Sequence, residues 1–250
     1  KPIDGEFLQA PILFLSILMI SMLIASLYLP FAKFDRKDKS IFLATPIIGN
    51  TGNLGIPLGI ILFGEWSAFY TNAINIMNVF LVYTIGVYLY SKGNYTFRES
   101  LKNIIKIPVI WSAIFAVILN LNGVTFLGEI DTALKMGAYT SMVIQLILFG
   151  IFLRQITIRQ LSLKISISIT VIKLVIIPIV ALVLLSFSPL STEIKAIVFL
   201  EVMVPLALSN ANLATLYDCK QNEVVGQILI SSLLFIFVAI FFVQFTSNTY

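Results

Sequence analysis

Two stretches of this chain place proline and side-chain amides where an apolar run would otherwise be unbroken. One is Pro46-Ile-Ile-Gly-Asn50-Thr51-Gly52-Asn53-Leu54; the other is Pro205-Leu-Ala-Leu-Ser209-Asn210-Ala211-Asn212-Leu213. Each proline removes a backbone donor and prevents regular hydrogen bonding one turn back. Asparagine both donates and accepts, so it can serve the backbone groups that an interrupted helix leaves free. The chemistry on offer is binding. Half-helix N-termini present free N–H groups and partial positive charge, which suits a carboxylate. Half-helix C-termini could equally hold a cation. The second stretch repeats the first: Pro205, Asn212 and Leu213 each stand 159 positions after Pro46, Asn53 and Leu54. At the same offset Asn50 answers Ser209, Thr51 answers Asn210, and the small Gly52 answers Ala211.

Three further polar residues fall inside apolar runs: Lys173, Gln145, and Glu201, four residues before Pro205. Ionisable groups at membrane depth are functional candidates by default. Lys173 could pair with a substrate carboxylate or act as a fixed cation against half-helix C-termini. Glu201 could couple a proton if burial favours its neutral form. A structural Lys173–Glu201 pair, or a Lys173 that snorkels to the interface, reads the same residues without function. Asn72, Asn75 and Asn78 sit three apart and share a helix face, either lining a cavity or holding helices together. Gly55 and Gly59 read as close helix packing.

The elements that must position these residues are transmembrane helices. Hydrophobic residues make up 59% of the 250, charged residues only 11%, and the mean hydropathy is +1.01. A soluble domain is about 45–50% apolar and about 25% charged. Roughly 20 apolar residues in a helix cross a bilayer, and eight such runs can be read, at about 8–31, 41–63, 67–90, 106–122, 132–153, 164–188, 195–217 and 223–246. Continuous rather than alternating apolar runs exclude a β-barrel. There is no histidine, and Cys219 is the one cysteine. That removes the usual zinc sites, a disulfide within the chain, and any Ser-His or Cys-His pair. An enzyme is not expected, nor a cofactor or metal. The net charge of +4 sits in loops and forms no nucleic-acid footprint. Nothing at the start resembles a signal peptide.

Lys33, Arg36, Lys37 and Lys39, then Lys92, Arg98, Lys102 and Lys106, then Arg154, Arg159 and Lys164, fill every second loop. The positive-inside rule places those loops in the cytoplasm and both Lys1 and Tyr250 outside. The loop around Lys220, beside Asp218 and Glu223, is the weak point of this pattern. Tyr28, Tyr70, Tyr83, Tyr88 and Tyr90 lie in or near spans and include candidates for interfacial anchors. The 159-residue offset lays the first span on the sixth and the third on the eighth. Partners for the fourth and fifth would precede Lys1, so two helices are expected to be missing from the N-terminus. The full form would be an all-α membrane protein of five plus five helices, with inverted repeats and two broken crossing helices. Residues 1–92 would be the remainder of the first repeat, with crossing segment 41–63. Residues 98–250 would be the second, with crossing segment 195–217. Matched interruptions in inverted halves point to a transporter's binding site.

Asn50-Thr-Gly-Asn-Leu-Gly-Ile-Pro-Leu58 resembles the first-repeat signature of the auxin efflux carrier (PIN-like) family. Pro205 through Tyr217 resembles its second, and Pro108-Val-Ile-Trp111 and Lys173-Leu-Val-Ile-Ile-Pro178 resemble further family patterns. The likeness covers the whole chain. It implies a permease of short bacterial type, in the cell inner membrane, with a scaffold and a crossing-helix transport domain and elevator-like movement. It implies small carboxylate substrates such as malonate, malate or auxin. Pro46, Asn50, Asn53, Pro205, Asn210 and Asn212 would form the crossover, with Thr51, Ser209, Lys173 and Gln145 as further binding candidates. The partners expected are the organic anion, the lipid bilayer, a proton or sodium as coupling ion, and a second copy if the protein is a homodimer. A non-transporting receptor or scaffold with the same fold is the alternative.

Overall fold

The computed structural model describes residues 5–96, 98–99, 102, 105–106, 108–124, 126, 128–155 and 161–247. Nearly all of them are helical. The helices are α1 (Gly5–Ser26), α2 (Leu29–Ala32), α3 (Arg36–Ile47), α4 (Ile56–Phe63), α5 (Ala68–Leu81), α6 (Val87–Lys92) and α7 (Pro108–Leu121). They continue as α8 (Glu129–Gln155), α9 (Leu163–Val171), α10 (Ile177–Phe187), α11 (Thr192–Met203), α12 (Ser209–Leu216) and α13 (Gln221–Ser247).

Some of these helices join end to end. Wider π-type turns at Thr51–Gly55, Val82–Gly86 and Ile172–Ile176 run directly into α4, α6 and α10. Pro57 and Pro178 explain two of them. Each follows its turn by two residues and cannot donate to the carbonyl one turn back, so the helix widens to accommodate it. Among the described residues, four runs are long and apolar enough to cross a membrane: Phe7–Ser26, Glu65–Lys92, Leu163–Phe187 and Gln221–Ile240.

The two amide-bearing segments are each made of shorter pieces. α3 starts at Arg36, before the expected 41, because Asp35 caps it by accepting the Asp38 N–H at 2.6 Å. A capping carboxylate there satisfies an orphan donor and complements the helix dipole. The helix stops just after Pro46, where Ile48 takes φ −101°, ψ 88°. The chain becomes helical again at Thr51. α11 likewise stops at Met203, Val204 takes φ −50°, ψ 146°, and the helix resumes at Ser209.

Helix α1 packs on α5, α10 and α11, burying Ala10, Phe14, Ile17 and Leu18. α3 lies on α6 and α9, and α13 on α8, α9 and α12. Outward faces carry Phe31, Ile61, Phe187 and Phe237, each more than 70% exposed. In water such a surface would aggregate; against lipid it needs no cover. The molecule is an all-α membrane protein.

Candidate functional site

The backbone that leaves helical geometry at Ile48 meets the backbone that leaves it at Val204. Gly49 and Leu206 form an antiparallel bridge. The Asn50 N–H donates to the Pro205 carbonyl at 2.8 Å, and the Ala207 N–H donates to the Ile48 carbonyl at 3.0 Å. Broken backbone at membrane depth must find partners within the protein, and here each broken helix supplies them to the other. The remaining groups go to side chains. Asn78 Nδ2 donates to the Gly49 carbonyl at 2.9 Å and Ser231 Oγ accepts the Leu206 N–H at 3.2 Å. Asn210, fully buried, donates to the Ile48 and Ala207 carbonyls at 3.0 and 3.1 Å. Its Oδ1 accepts from the buried Tyr90 hydroxyl, which in turn lies 3.0 Å from Thr45 Oγ1.

A cavity of about 200 Å³ opens beside this crossing. Asn50, Thr51, Gly52 and Asn53 line it from one broken helix and Ala207, Leu208 and Ser209 from the other. Asn75, Asn78 and Tyr83 close it from the span between α4 and α7. Thr51 Oγ1 donates to Asn75 Oδ1 at 2.8 Å and accepts from Asn78 Nδ2 at 2.8 Å. Asn78 Oδ1 is buried without a hydrogen-bond partner among the described residues. The first turns of both resumed half-helices border this space. In the second half-helix the Asn210 and Ala211 N–H groups already donate to the Ala207 and Leu208 carbonyls, so the wall presents the first turn of the first half-helix, side-chain amides and a hydroxyl at positive helix ends. Such a wall suits an anion with oxygen acceptors.

A second, larger hollow of about 680 Å³ shares Asn50 with the first and is mostly apolar. Leu54, Leu58, Pro205, Phe235 and Ile236 are among its lining residues.

The sequence candidates therefore divide. Asn50, Thr51, Asn53 and Ser209 line the small cavity. Pro46, Pro205 and Asn210 shape and hold the crossing without lining that cavity. Asn212 is exposed on α12 and borders neither hollow. The Gln145 side chain, on α8, lies outside the described residues. Lys173 is buried in the turn Ile172–Ile176 and donates to the Val202 carbonyl at 3.0 Å, covering the C-terminal end of α11. Glu201 is buried on α11. Tyr90 is no interfacial anchor: it is fully buried, a role its sequence neighbourhood gave no sign of. Of the three amides at helical spacing, Asn75 and Asn78 line the cavity, whereas Asn72 is exposed and donates to the Ala68 carbonyl of its own helix. Gly59 is a packing glycine, since a Cβ there would lie 2.7 Å from Thr71 Cγ2.

At the far end of α3 from the crossing, charges tie three segments together. Lys220 reaches both Asp35, at 2.7 Å, and Asp38; Lys37 meets Asp218 at 2.8 Å. Arg36 donates to the Lys92 carbonyl at 2.7 Å, and Asn94 to the Tyr217 carbonyl at 2.6 Å. Burial alone would raise the Asp35 carboxyl, but hydrogen bonds from Lys220 and the Asp38 N–H outweigh it and hold it below the usual value. Burial pulls Lys220 down, and its two aspartate partners more than reverse that.

Two helices of this membrane protein thus break opposite one another and bridge through their main chains. The profile of the family described as membrane transport protein matches residues 3–102 and 94–243. The chain belongs to that family, the one that includes the auxin efflux carriers. No curated protein matches it.

Proposed function

We propose that this membrane transport protein is a secondary carrier of small organic anions, with malonate, malate and auxin-like carboxylates as the substrate class. It works by alternating access around the crossing of its two broken helices, in a cell inner membrane with both termini outside. Its two repeats run in opposite directions. The observation that carries this reading is the small cavity, where two half-helix N-termini, Thr51 and Asn75 converge on one volume. A carboxylate there accepts from backbone N–H groups and from the Asn75 amide, whose Oδ1 is already committed to Thr51. A protonated or hydroxylated substrate group can serve Asn78 Oδ1. Movement of the crossing between the two sides of the membrane would carry this wall with it, because the bridge joins both helices.

Uptake by the reconstituted protein tests it. Liposomes containing the wild type should accumulate labelled malonate, malate or indole acetate, and Asn53→Ala and Asn75→Ala should each reduce the initial rate by about tenfold or more, the loss expected when one or two hydrogen bonds to a charged group go. Both variants should keep the wild-type circular dichroism. Undiminished uptake in both overturns the assignment of the cavity, and a wild type that accumulates none of the three overturns the substrate class.

A further inference from the structure

We infer that Glu201 is a proton-binding site, closed against Gly55 by the pairing of the broken helices and served by Lys173, and that it couples proton movement to transport. The coupling rests on the carrier reading above; the proton site does not.

Glu201 is completely buried on α11, and neither carboxyl oxygen has a hydrogen-bond partner among the described residues. The carboxyl packs on bare backbone of the opposite broken helix: a Cβ at Gly55 would collide with Glu201 Oε2. Lys173 is buried as well, yet its hydrogen bond goes to the Val202 carbonyl, and the two side chains form no direct ion pair. An ionised carboxylate without donors or a contacting cation is among the costliest groups to bury, and binding a proton removes most of that cost.

Among the described side chains the elements packed on α11 offer no other charge. Helix α11 packs on α1, α4, α5, α10 and the turn Thr51–Gly55. Of these, α4, α10 and the turn contain no titratable residue, α5 contains Tyr70, and α1 contains Glu6, whose side chain lies outside the described residues. Among the described residues, Lys173, on the turn leading into α10, is the charged group that acts on Glu201.

The repeat supplies a second, independent observation. Lys173 and Glu201 stand 159 positions after Phe14 and Phe42, and both phenylalanines are 1% exposed. At matching places in the first half, apolar side chains fill the core. The architecture therefore does not require an ionisable pair there, and the second half alone carries one.

Gly55 ends the wide turn that borders the cavity, so a shift of the crossing that draws Gly55 from α11 opens the carboxyl to water. The proton then leaves to solvent, and Lys173 can turn from Val202 to the carboxylate. On return, the carboxyl must regain its proton before Gly55 closes over it.

Infrared spectroscopy of the lipid-reconstituted full chain tests the proton site. At neutral pH the wild type should show the carbonyl stretch of a protonated carboxyl that persists in D2O, and Glu201→Gln, nearly the same shape, should lack it. No difference between the two spectra, or immediate exchange of the band, overturns the site. Coupling is read with labelled malonate as the probe under an imposed pH gradient. In Glu201→Gln, gradient-driven accumulation should fall about tenfold more than exchange of labelled for unlabelled malonate. Equal loss of both, or no loss, overturns the coupling. A wild type that takes up no malonate overturns the coupling while the carboxyl band still decides the proton site.

Discussion

The Tyr90 hydroxyl donates to Asn210 Oδ1 at 2.9 Å, joining α6 to the crossing across 120 residues of sequence. Both side chains are fully buried, and Asn210 uses its two N–H donors on carbonyls that the helix break sets free. Tyr90→Phe leaves the Asn210 oxygen without its donor and should cost about 1–2 kcal/mol. Asn210→Ala strips partners from two carbonyls and a hydroxyl, and should cost about 3 kcal/mol or more. Thermal unfolding in detergent ranks the two variants; equal melting temperatures would contradict the network.

Close approach at Gly52 makes a second prediction. A Cβ there would lie 2.9 Å from Asn75 Oδ1, the atom that accepts the Thr51 hydroxyl. Gly52→Ala should displace Asn75 and weaken anion binding by about tenfold, with little loss of stability because the displaced group is a side-chain end. Gly137, on α8, has nothing within 4 Å of its added Cβ. Gly137→Ala should stabilise by about 0.5–1 kcal/mol and leave binding unchanged. Isothermal titration and melting curves on the pair separate the effects.

The charge clasp at the end of α3 makes stability depend on pH in a defined sense. Asp35 is depressed in the fold from 3.8, so its contribution is complete above that value and fades as pH falls below it. Lys220 is raised from 10.5, so its contribution is complete below that value and fades as pH climbs past it. The clasp is therefore intact across the neutral range. Both ion pairs are partly exposed, and Lys220→Ala should cost no more than about 1 kcal/mol, less in high salt. A cost several times larger, or one indifferent to salt, would contradict this.

Cys219 is buried in the same clasp, between α12 and α13. Burial, outweighing the pull of Lys37, pushes its thiol up to about 11. At neutral pH it should react with maleimides about a hundredfold more slowly than an ordinary cysteine, since only the thiolate attacks. Lys37→Ala and Lys220→Ala, which loosen the clasp, should speed the reaction. Labelling rates followed by mass spectrometry check this.

The breaks themselves were legible because proline and asparagine are costly in a lipid-facing helix, so Pro46–Asn53 and Pro205–Asn212 stand out from an apolar background. Repetition at one offset made their meeting legible too. The division of labour among the amides was not. Asn210 and Asn212 are two residues apart on a helix and so face different ways: one is fully buried in the crossing, the other exposed. No spacing rule says which. Tyr90 and Lys173 act on groups far along the chain, a carboxamide and a carbonyl whose availability exists only once another helix has ended. The turn at Val82–Gly86 has no following proline to announce it, unlike those before Pro57 and Pro178.

The joint between the two broken helices is made by Ile48, Asn50, Pro205 and Ala207 through main-chain atoms alone. Any residue that tolerates the local backbone conformation can make those bonds, proline excepted at 50 and 207, where the N–H donates. Cavity side chains such as Val79 and Tyr83 can thus be exchanged while the hub on which the two arms turn stays blind to the change, whereas Asn78, whose amide holds the Gly49 carbonyl, ties cavity and hub together.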